Sequence, residues 1–276
     1  MPAGYDAAVM GEYVMRGYGI VGFGTIGRRL ATRLAAATDA PPLVAVLVRP
    51  RVPIEAAPIE IAVTSLATLI ARRPAVVVEC ASREWLAEHG AILLAAGIDL
   101  VPLSLTALAD PAVERRLLDA AARGPGRLEI APGAVGSLDL LATAREEGLQ
   151  RVVYRQIKSP AMWMRTPASR LADLAAIGER AVFFRGSVRE VARQLPHNLN
   201  SSVGVALAGL GLDRTEAELV ADPALSETAH EVDIHAAAGN ATLRLGGRPV
   251  GSGDPVDHTT FSLMRLLKRR QARVAI

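Results

Sequence analysis

The stretch Tyr18-Gly19-Ile20-Val21-Gly22-Phe23-Gly24-Thr25-Ile26-Gly27-Arg28-Arg29-Leu30-Ala31 decides how the rest of the chain is read. A short apolar run ends in Gly-x-Gly-x-x-Gly, and Ile26, Leu30, Leu34 and Ala37 then fall on one helical stripe. Each glycine has a physical task in such a setting. Gly22 permits a tight strand-to-helix turn, Gly24 lets the backbone approach a pyrophosphate with no Cβ in the way, and Gly27 allows the helix to pack close to the strand. Thr25 and Ile26 open the helix, whose free N–H groups and positive dipole end favour phosphate. Glycine triplets also occur by chance. Here the context supports a dinucleotide site, because a strand precedes the motif, a helix follows it, and the aliphatic run Leu43 to Val48 supplies a second strand.

At the end of that second strand, dinucleotide folds usually place an acid for the ribose 2′-hydroxyl. This chain has Arg49-Pro50-Arg51 instead. Arg49 can pair with a 2′-phosphate, which tilts the expected cofactor toward NADP without excluding NAD. Strands and helices continue to alternate. Strands are expected at Glu60 to Val63, Ala75 to Ala81, Asp99 to Leu103 and Leu128 to Ile130. Helices are expected at Ser65 to Arg72, Arg83 to Ala96 and Asp110 to Arg123, the last with an N-cap acid and a proline at its first position. This order implies right-handed crossovers and an α/β fold, a Rossmann-type doubly wound parallel sheet.

From Pro132 the texture changes. Asp139 to Glu147 reads as a helix and Val152 to Ile157 as a strand, followed by a strand at Val182 to Phe184. Ser187 and Glu190 are spaced as a capping box for a helix that ends before Pro196. Val203 to Leu210 reads as a packed helix and Glu218 to Ala221 as a strand. Glu231 to His235 and Ala241 to Leu245 flank the hairpin signal Gly239-Asn240. This half is a second α+β domain for substrate and dimerisation. The expected division is residues 1–14 as a disordered extension, 15–131 for the dinucleotide and 132–251 for the substrate. Residues 252–276 are expected to return as a helix to the first domain.

Of the 276 residues, 50% are hydrophobic and only 4% aromatic, so the core is built from Ala, Leu, Val and Ile. No apolar stretch nears the ~20 residues of a membrane span, and no signal peptide is evident. The lone cysteine, Cys80, rules out an intrachain disulfide and fits a reducing, cytoplasmic setting. Net charge is +3, with a basic run only at Lys268-Arg269-Arg270. Without interleaved aromatics or a basic stripe, neither nucleic acid nor membrane is an expected partner. No pattern of metal ligands is present.

Several segments have no generic dinucleotide-fold explanation: Val78-Glu79-Cys80-Ala81, Gly133-Ala134-Val135-Gly136 with Asp139, Phe184-Arg185-Gly186-Ser187, Leu195-Pro196-His197-Asn198-Leu199-Asn200, Leu207 to Thr215, and Ala229-His230-Glu231-Val232. Through them, and the glycine motif, the chain from Met15 onward resembles the L-aspartate dehydrogenases, which oxidise aspartate to iminoaspartate with NAD(P). The resemblance implies that Ala134 and Asn200 contact the cofactor at its nicotinamide side, with Ala81 beside it. It further implies that His230 is catalytic and that the protein is a homodimer. Asn198 and Lys158 are candidate substrate residues. If Ala229 to Ala236 is a strand, His230 shares a face with Val232 and Ile234. Glu231, Asp233 and His235 then occupy the opposite, solvent face.

The chain departs from the family at two points. Pro-Lys-Asn is replaced by Pro196-His197-Asn198, and Asn-Pro-Lys-Thr-Ser by Asp254-Pro255-Val256-Asp257-His258. Two lysines that would suit a dicarboxylate are thereby lost, with Lys158, Arg165 and Arg189 as possible replacements. Three readings follow: an NAD(P)-dependent aspartate dehydrogenase, the same fold acting on another amino acid or imine, or a dinucleotide-binding sensor without turnover. His89 is expected on the surface.

Overall fold

In a computed structural model, which describes residues 17–49, 61–136, 138–196, 199–247 and 258–274, the glycine motif follows the middle strand of a five-stranded parallel sheet. The strands are β1 (Tyr18–Val21), β2 (Leu43–Leu47), β3 (Ala62–Val63), β4 (Val76–Glu79) and β5 (Asp99–Pro102). Their order, β3-β2-β1-β4-β5, is that of a doubly wound sheet, with the switch point between β1 and β4. β1 and β4 are buried along their whole lengths, which is why they read as uninterrupted apolar runs.

The crossovers are α1 (Thr25–Ala35), α2 (Leu66–Ala71), α3 (Arg83–Ala95) and α4 (Pro111–Arg123). Ser65, Ser82 and Asp110 cap the last three by accepting from Thr68 N, Trp85 N and Ala112 N. α1 has no side-chain cap and no acid in its first turn, so its leading N–H groups are left for a ligand. One expectation fails: Leu128 to Ile130 is not a strand but a single parallel bridge, Leu100 to Leu128. Pro132 lies just beyond and has no N–H with which to extend the pairing.

The second half holds a mixed five-stranded sheet, ordered β10-β9-β6-β8-β7. Its strands are β6 (Leu149–Lys158), β7 (Ala181–Ser187), β8 (Glu216–Ala221), β9 (Ala229–Ala236) and β10 (Gly239–Gly246). β6 and β8 run parallel, and the other pairs are antiparallel. Helices α5 (Asp139–Glu146), α7 (Val188–Gln194) and α8 (Asn200–Ala208) cover the inner face, where Val152, Tyr154, Val232 and Ile234 are buried. Between β6 and β7, α6 (Pro160–Met164) and two 3-10 turns carry no sequence period. Burial of Trp163 fixes them, its indole donating to the Val220 carbonyl at 2.8 Å.

The outer face is a lattice of ion pairs rather than a solvated polar surface. Arg151 pairs with Glu216, Arg155 with Glu218 and Asp233, Arg185 with Glu218, and Arg180 and Arg244 with Glu231. Glu231, expected in solvent, is therefore buried beneath two arginines. The last helix, α9 (His258–Arg269), returns to the first sheet, where Leu263, Leu266 and Leu267 join Ile20, Leu30, Val46 and Val78 in one core. Among the described residues, no helix is long and apolar enough to cross a membrane.

Candidate active site

Two hollows open at the carboxyl ends of the parallel strands, where ligands bind in doubly wound sheets. The first, of about 630 Å³, is lined by Gly22, Phe23, Gly24, Arg28, Leu47, Arg49, Ala81, Trp85 and His89, among others. Its floor is tightly fitted. Gly22 has φ +84°, and a Cβ there would lie 2.7 Å from the Ala81 Cα and the Cys80 carbonyl. A Cβ on Gly27 would collide with the Gly22 carbonyl, whereas one on Gly24 would meet nothing within 4 Å. So two glycines hold the turn against its neighbours, and the third leaves open space in front of the α1 N-terminus. That is the cradle a pyrophosphate needs, and the residues fit a dinucleotide. Thr25 is exposed at the first position of α1, and Arg49 is exposed on the rim after β2.

Glu79 organises the wall. Its carboxylate is fully buried and accepts from Ala81 N (2.7 Å), Ser104 N (3.0 Å) and Ser104 Oγ (2.9 Å). Burial pushes its pKa up, and these donors pull against that shift. One side chain thus joins the loop after β4 to the loop after β5. The latter continues through a 3-10 turn, Leu105–Ala109, in which Thr106 N donates to Asn200 Oδ1 at 3.0 Å. Thr106 Oγ1 also donates to the Pro196 carbonyl, so the first half grips the start of α8.

The second hollow, of about 240 Å³, lies between the two sheets. Ile26, Leu103, Leu105 and Ala134 face Gln156, Asn200, Ser201 and His230 across it, with Thr259 of α9 at its edge. Gly133 N donates to Ser262 Oγ at 3.1 Å, so α9 anchors the loop bearing Ala134. Asn200 is the first residue of α8; its Oδ1 is taken by Thr106, which leaves its NH2 as a donor. His230 stands directly opposite Gln156 in the β6–β9 register, and its Nδ1 lies 2.7 Å from the Tyr154 hydroxyl. Tyr154 is fully buried and also hydrogen-bonds Ser201, so its hydroxyl can receive from His230 and donate onward. Nε2 is then the free nitrogen of His230. Burial, followed by the charges of Lys158 and His258, lowers the His230 pKa from 6.5 to about 4, so the ring is neutral at neutral pH.

Lys158 ends β6 on the same face as Tyr154 and Gln156. Its ammonium sits 4.8 Å from the Trp163 ring centre, burial lowers its pKa, and among the described residues no acid pairs with it. Lys158 lines neither hollow, yet its charge is felt at His230. Asn198 and His197 lie outside the described residues, as do positions 248–257. Arg189 is no substitute for the missing lysines. It is buried at 8% exposure and bound to Asp213, Glu114 and the Leu108 and Ala109 carbonyls. His89, expected on the surface, is partly exposed, and it lines the dinucleotide hollow with its ring 4.9 Å from that of Trp85. Cys80 is half-buried in the lining of the first hollow, and desolvation raises the pKa of its thiol, which makes it unsuited to nucleophilic chemistry. Among the described residues, no cluster of three or more His, Cys, Asp or Glu could hold a metal.

Tyr154, Gln156, Ser201 and Glu79 were not singled out as site residues by sequence reasoning. The alternation of Val152, Tyr154, Gln156 and Lys158 puts them on one face, but only the pairing of β6 with β9 brings that face to His230.

A glycine cradle at the switch point of a parallel sheet, facing a histidine on a second sheet, defines a two-domain nicotinamide-dinucleotide dehydrogenase. Residues 22–131 match the family described as homoserine dehydrogenase, NAD binding domain, and residues 139–270 match aspartate dehydrogenase, C-terminal. The chain is 40% identical over 206 residues to an L-aspartate dehydrogenase of Cupriavidus taiwanensis, covering 74% of this chain and 77% of that one. It is 36% identical over 264 residues to one of Brucella anthropi, covering 93% and 97%. The chain belongs to the L-aspartate dehydrogenase family. Its fold is shared with the aspartate dehydrogenase of Thermotoga maritima, with a TM-score of 0.74 at 24% identity over 95% of this chain and 99% of that one. A hyperthermophilic archaeal homoserine dehydrogenase solved with NADPH shares the fold at a TM-score of 0.55 and 13% identity, over 92% and 98%.

Proposed function

We propose that this chain is an NAD(P)-dependent L-aspartate dehydrogenase that works at the hollow between its two sheets. The observation that carries this reading is a neutral histidine, His230, facing Ala134 and Asn200 beside Lys158, a buried cation with no acidic partner among the described residues. When bound, the dinucleotide supplies the nicotinamide C4 that accepts hydride from the substrate Cα. Gly22, Gly24, Thr25, Ile26 and Gly27 would hold the pyrophosphate, and Ala81, Ala134 and the Asn200 NH2 would contact the rest of the cofactor. Lys158, joined by Asn198, attracts a substrate carboxylate.

His230 Nε2 takes a proton from the substrate ammonium, so that the nitrogen lone pair can assist departure of hydride from Cα. After that proton passes to solvent, the neutral Nε2 takes the proton of the water that adds to the imine carbon. A carboxylate drawn to Lys158 offsets the charge that depresses His230, so substrate binding raises the basicity of the group that must act next.

Arg49 on the rim supports a preference for NADP. An Arg49→Asp variant is expected to shift the ratio of kcat/KM values toward NAD, and an unchanged ratio would make Arg49 a bystander. We further propose a division at residues 131 and 132, with 252–276 returned to the first domain, a cytoplasmic setting and a homodimer. Their support is the two-sheet organisation, the single cysteine and the family resemblance. The altered segment Asp254 to His258 favours one second reading, the same reaction on another amino acid. Steady-state assays of NAD and NADP reduction over a panel of amino acids, with oxaloacetate plus ammonia in reverse, separate the two. Aspartate is expected to give the highest kcat/KM; a different best substrate would replace it.

A further inference from the structure

Gln156 has no part in the reading above, and its state in the fold is unusual. It is 5% exposed, lies directly across from His230, and lines the same hollow. Its Oε1 is buried with no hydrogen-bond partner. An unpaired buried amide oxygen is destabilising, so it marks a place where a donor is missing.

The chemistry of the hollow narrows what that donor is. The Asn200 NH2 is a donor into the hollow, and the charge of Lys158 reaches His230 from outside its lining. These suit carboxylates, whereas the amine of an amino acid needs acceptors: the lining offers His230 Nε2 and the Gln156 amide oxygen, with the hydroxyls of Ser201 and Thr259 beside them. Among the described residues lining the hollow there is no Asp or Glu. No hydrogen bond holds the Gln156 oxygen, and the terminal torsion of a glutamine is broad, so the amide can turn toward a ligand without breaking a contact. Lys158, two residues along the same face, electrostatically favours oxygen over NH2 on the side nearer its charge.

We propose that Gln156 is the amine-recognising residue of this site, its Oε1 accepting a hydrogen bond from the nitrogen on the substrate Cα while His230 Nε2 accepts another. This rests on the assignment of the hollow to an amino-acid substrate and adds the group that distinguishes an amino acid from the corresponding plain acid. With two acceptors on the nitrogen, the Cα–H bond is held in one orientation, and a dicarboxylate lacking the amine gains nothing from Gln156.

The test compares wild type with Gln156→Leu and Gln156→Glu, each loaded with NAD or NADP. Its readouts are KM for aspartate, KM for ammonia in the reverse direction, and the inhibition constant of succinate, which carries both carboxylates and no amine. Gln156→Leu is expected to raise both KM values tenfold to a hundredfold, the range for one hydrogen bond to a charged group. Succinate inhibition is expected to stay within about twofold, and Gln156→Glu, which keeps an acceptor, to recover most of the loss. Equal weakening of aspartate and succinate would reduce Gln156 to packing and overturn the proposal, as would unchanged KM values in Gln156→Leu. Wild-type protein inert toward aspartate would instead remove the reading of the hollow itself.

Discussion

At the scale of single residues, the proposed base is His230, and its environment predicts two measurable effects. Its pKa is depressed from 6.5 to about 4, chiefly by burial. Above pH 6.5 both folded and unfolded chains hold it neutral, so its contribution to stability is constant. As pH falls from 6.5 toward 4, the unfolded chain takes up a proton that the folded chain refuses, and stability is lost. Between pH 7 and pH 5 that loss is about 2 kcal/mol from this group. Denaturant titrations should therefore show a shallower acid-side loss for His230→Gln than for wild type, together with a drop in kcat of at least a hundredfold. Parallel pH profiles would show that His230 is not the buried neutral group described. The second effect concerns Tyr154. Removal of its hydroxyl in Tyr154→Phe frees Nδ1 to lose its proton to the other nitrogen, leaving Nε2 protonated in part of the population. A fall in kcat of about tenfold with little change in KM is expected in steady-state assays, and nitrogen NMR of the imidazole should report the altered tautomer.

At the scale of elements, the loops matter more than the strands that carry them. Glu79 ends β4, and its carboxylate fixes the loops after β4 and β5 at once. Glu79→Gln keeps the volume but turns an NH2 toward N–H donors, leaving at least one buried donor unpaired. A loss of roughly 1–3 kcal/mol in denaturant unfolding is expected, with a rise in dinucleotide Kd by fluorescence titration. An unchanged Kd would detach these loops from cofactor binding. The sequence showed Glu79 as part of a segment but gave no sign of its partners, because Ser104 lies 25 residues away and in no repeating pattern. Elements with local signals were legible. Ser187 and Glu190 form the expected capping box, and the expected hairpin is present, although it turns at Ala237-Ala238 and Gly239-Asn240 already pair in β10. α8 begins at Asn200, earlier than Val203, because its cover comes from the first half and not from its own periodicity. Residues 160–177 were unreadable for the same reason: Trp163 and Leu174 are buried by distant strands.

At the scale of the whole molecule, the parallel sheet and its cofactor face were open to sequence reasoning, since a buried strand and a glycine turn are written in consecutive residues. The substrate face was legible only through the family resemblance, which pointed to His230, Asn200 and Ala134 but not to Gln156 or Tyr154. His230, Gln156, Tyr154, Asn200 and Ala134 come from β9, β6, α8 and the loop before α5, and only the mixed pairing of the second sheet assembles them. The outer ion-pair lattice was hidden likewise, because Glu218 meets Arg155 and Arg185 only across strands. What the fold achieves overall is to set a glycine cradle on one sheet against a buried neutral histidine, the proposed base, and a buried cation on the other. That arrangement predicts transfer of hydrogen from the Cα of aspartate to the nicotinamide across the hollow. The direct measurement is incubation with aspartate deuterated at Cα and oxidised NAD or NADP, followed by mass and NMR analysis of the reduced dinucleotide. Deuterium at nicotinamide C4, in one stereochemical position, is the predicted result. Reduced dinucleotide without deuterium, or no reduction with either cofactor, would contradict the account.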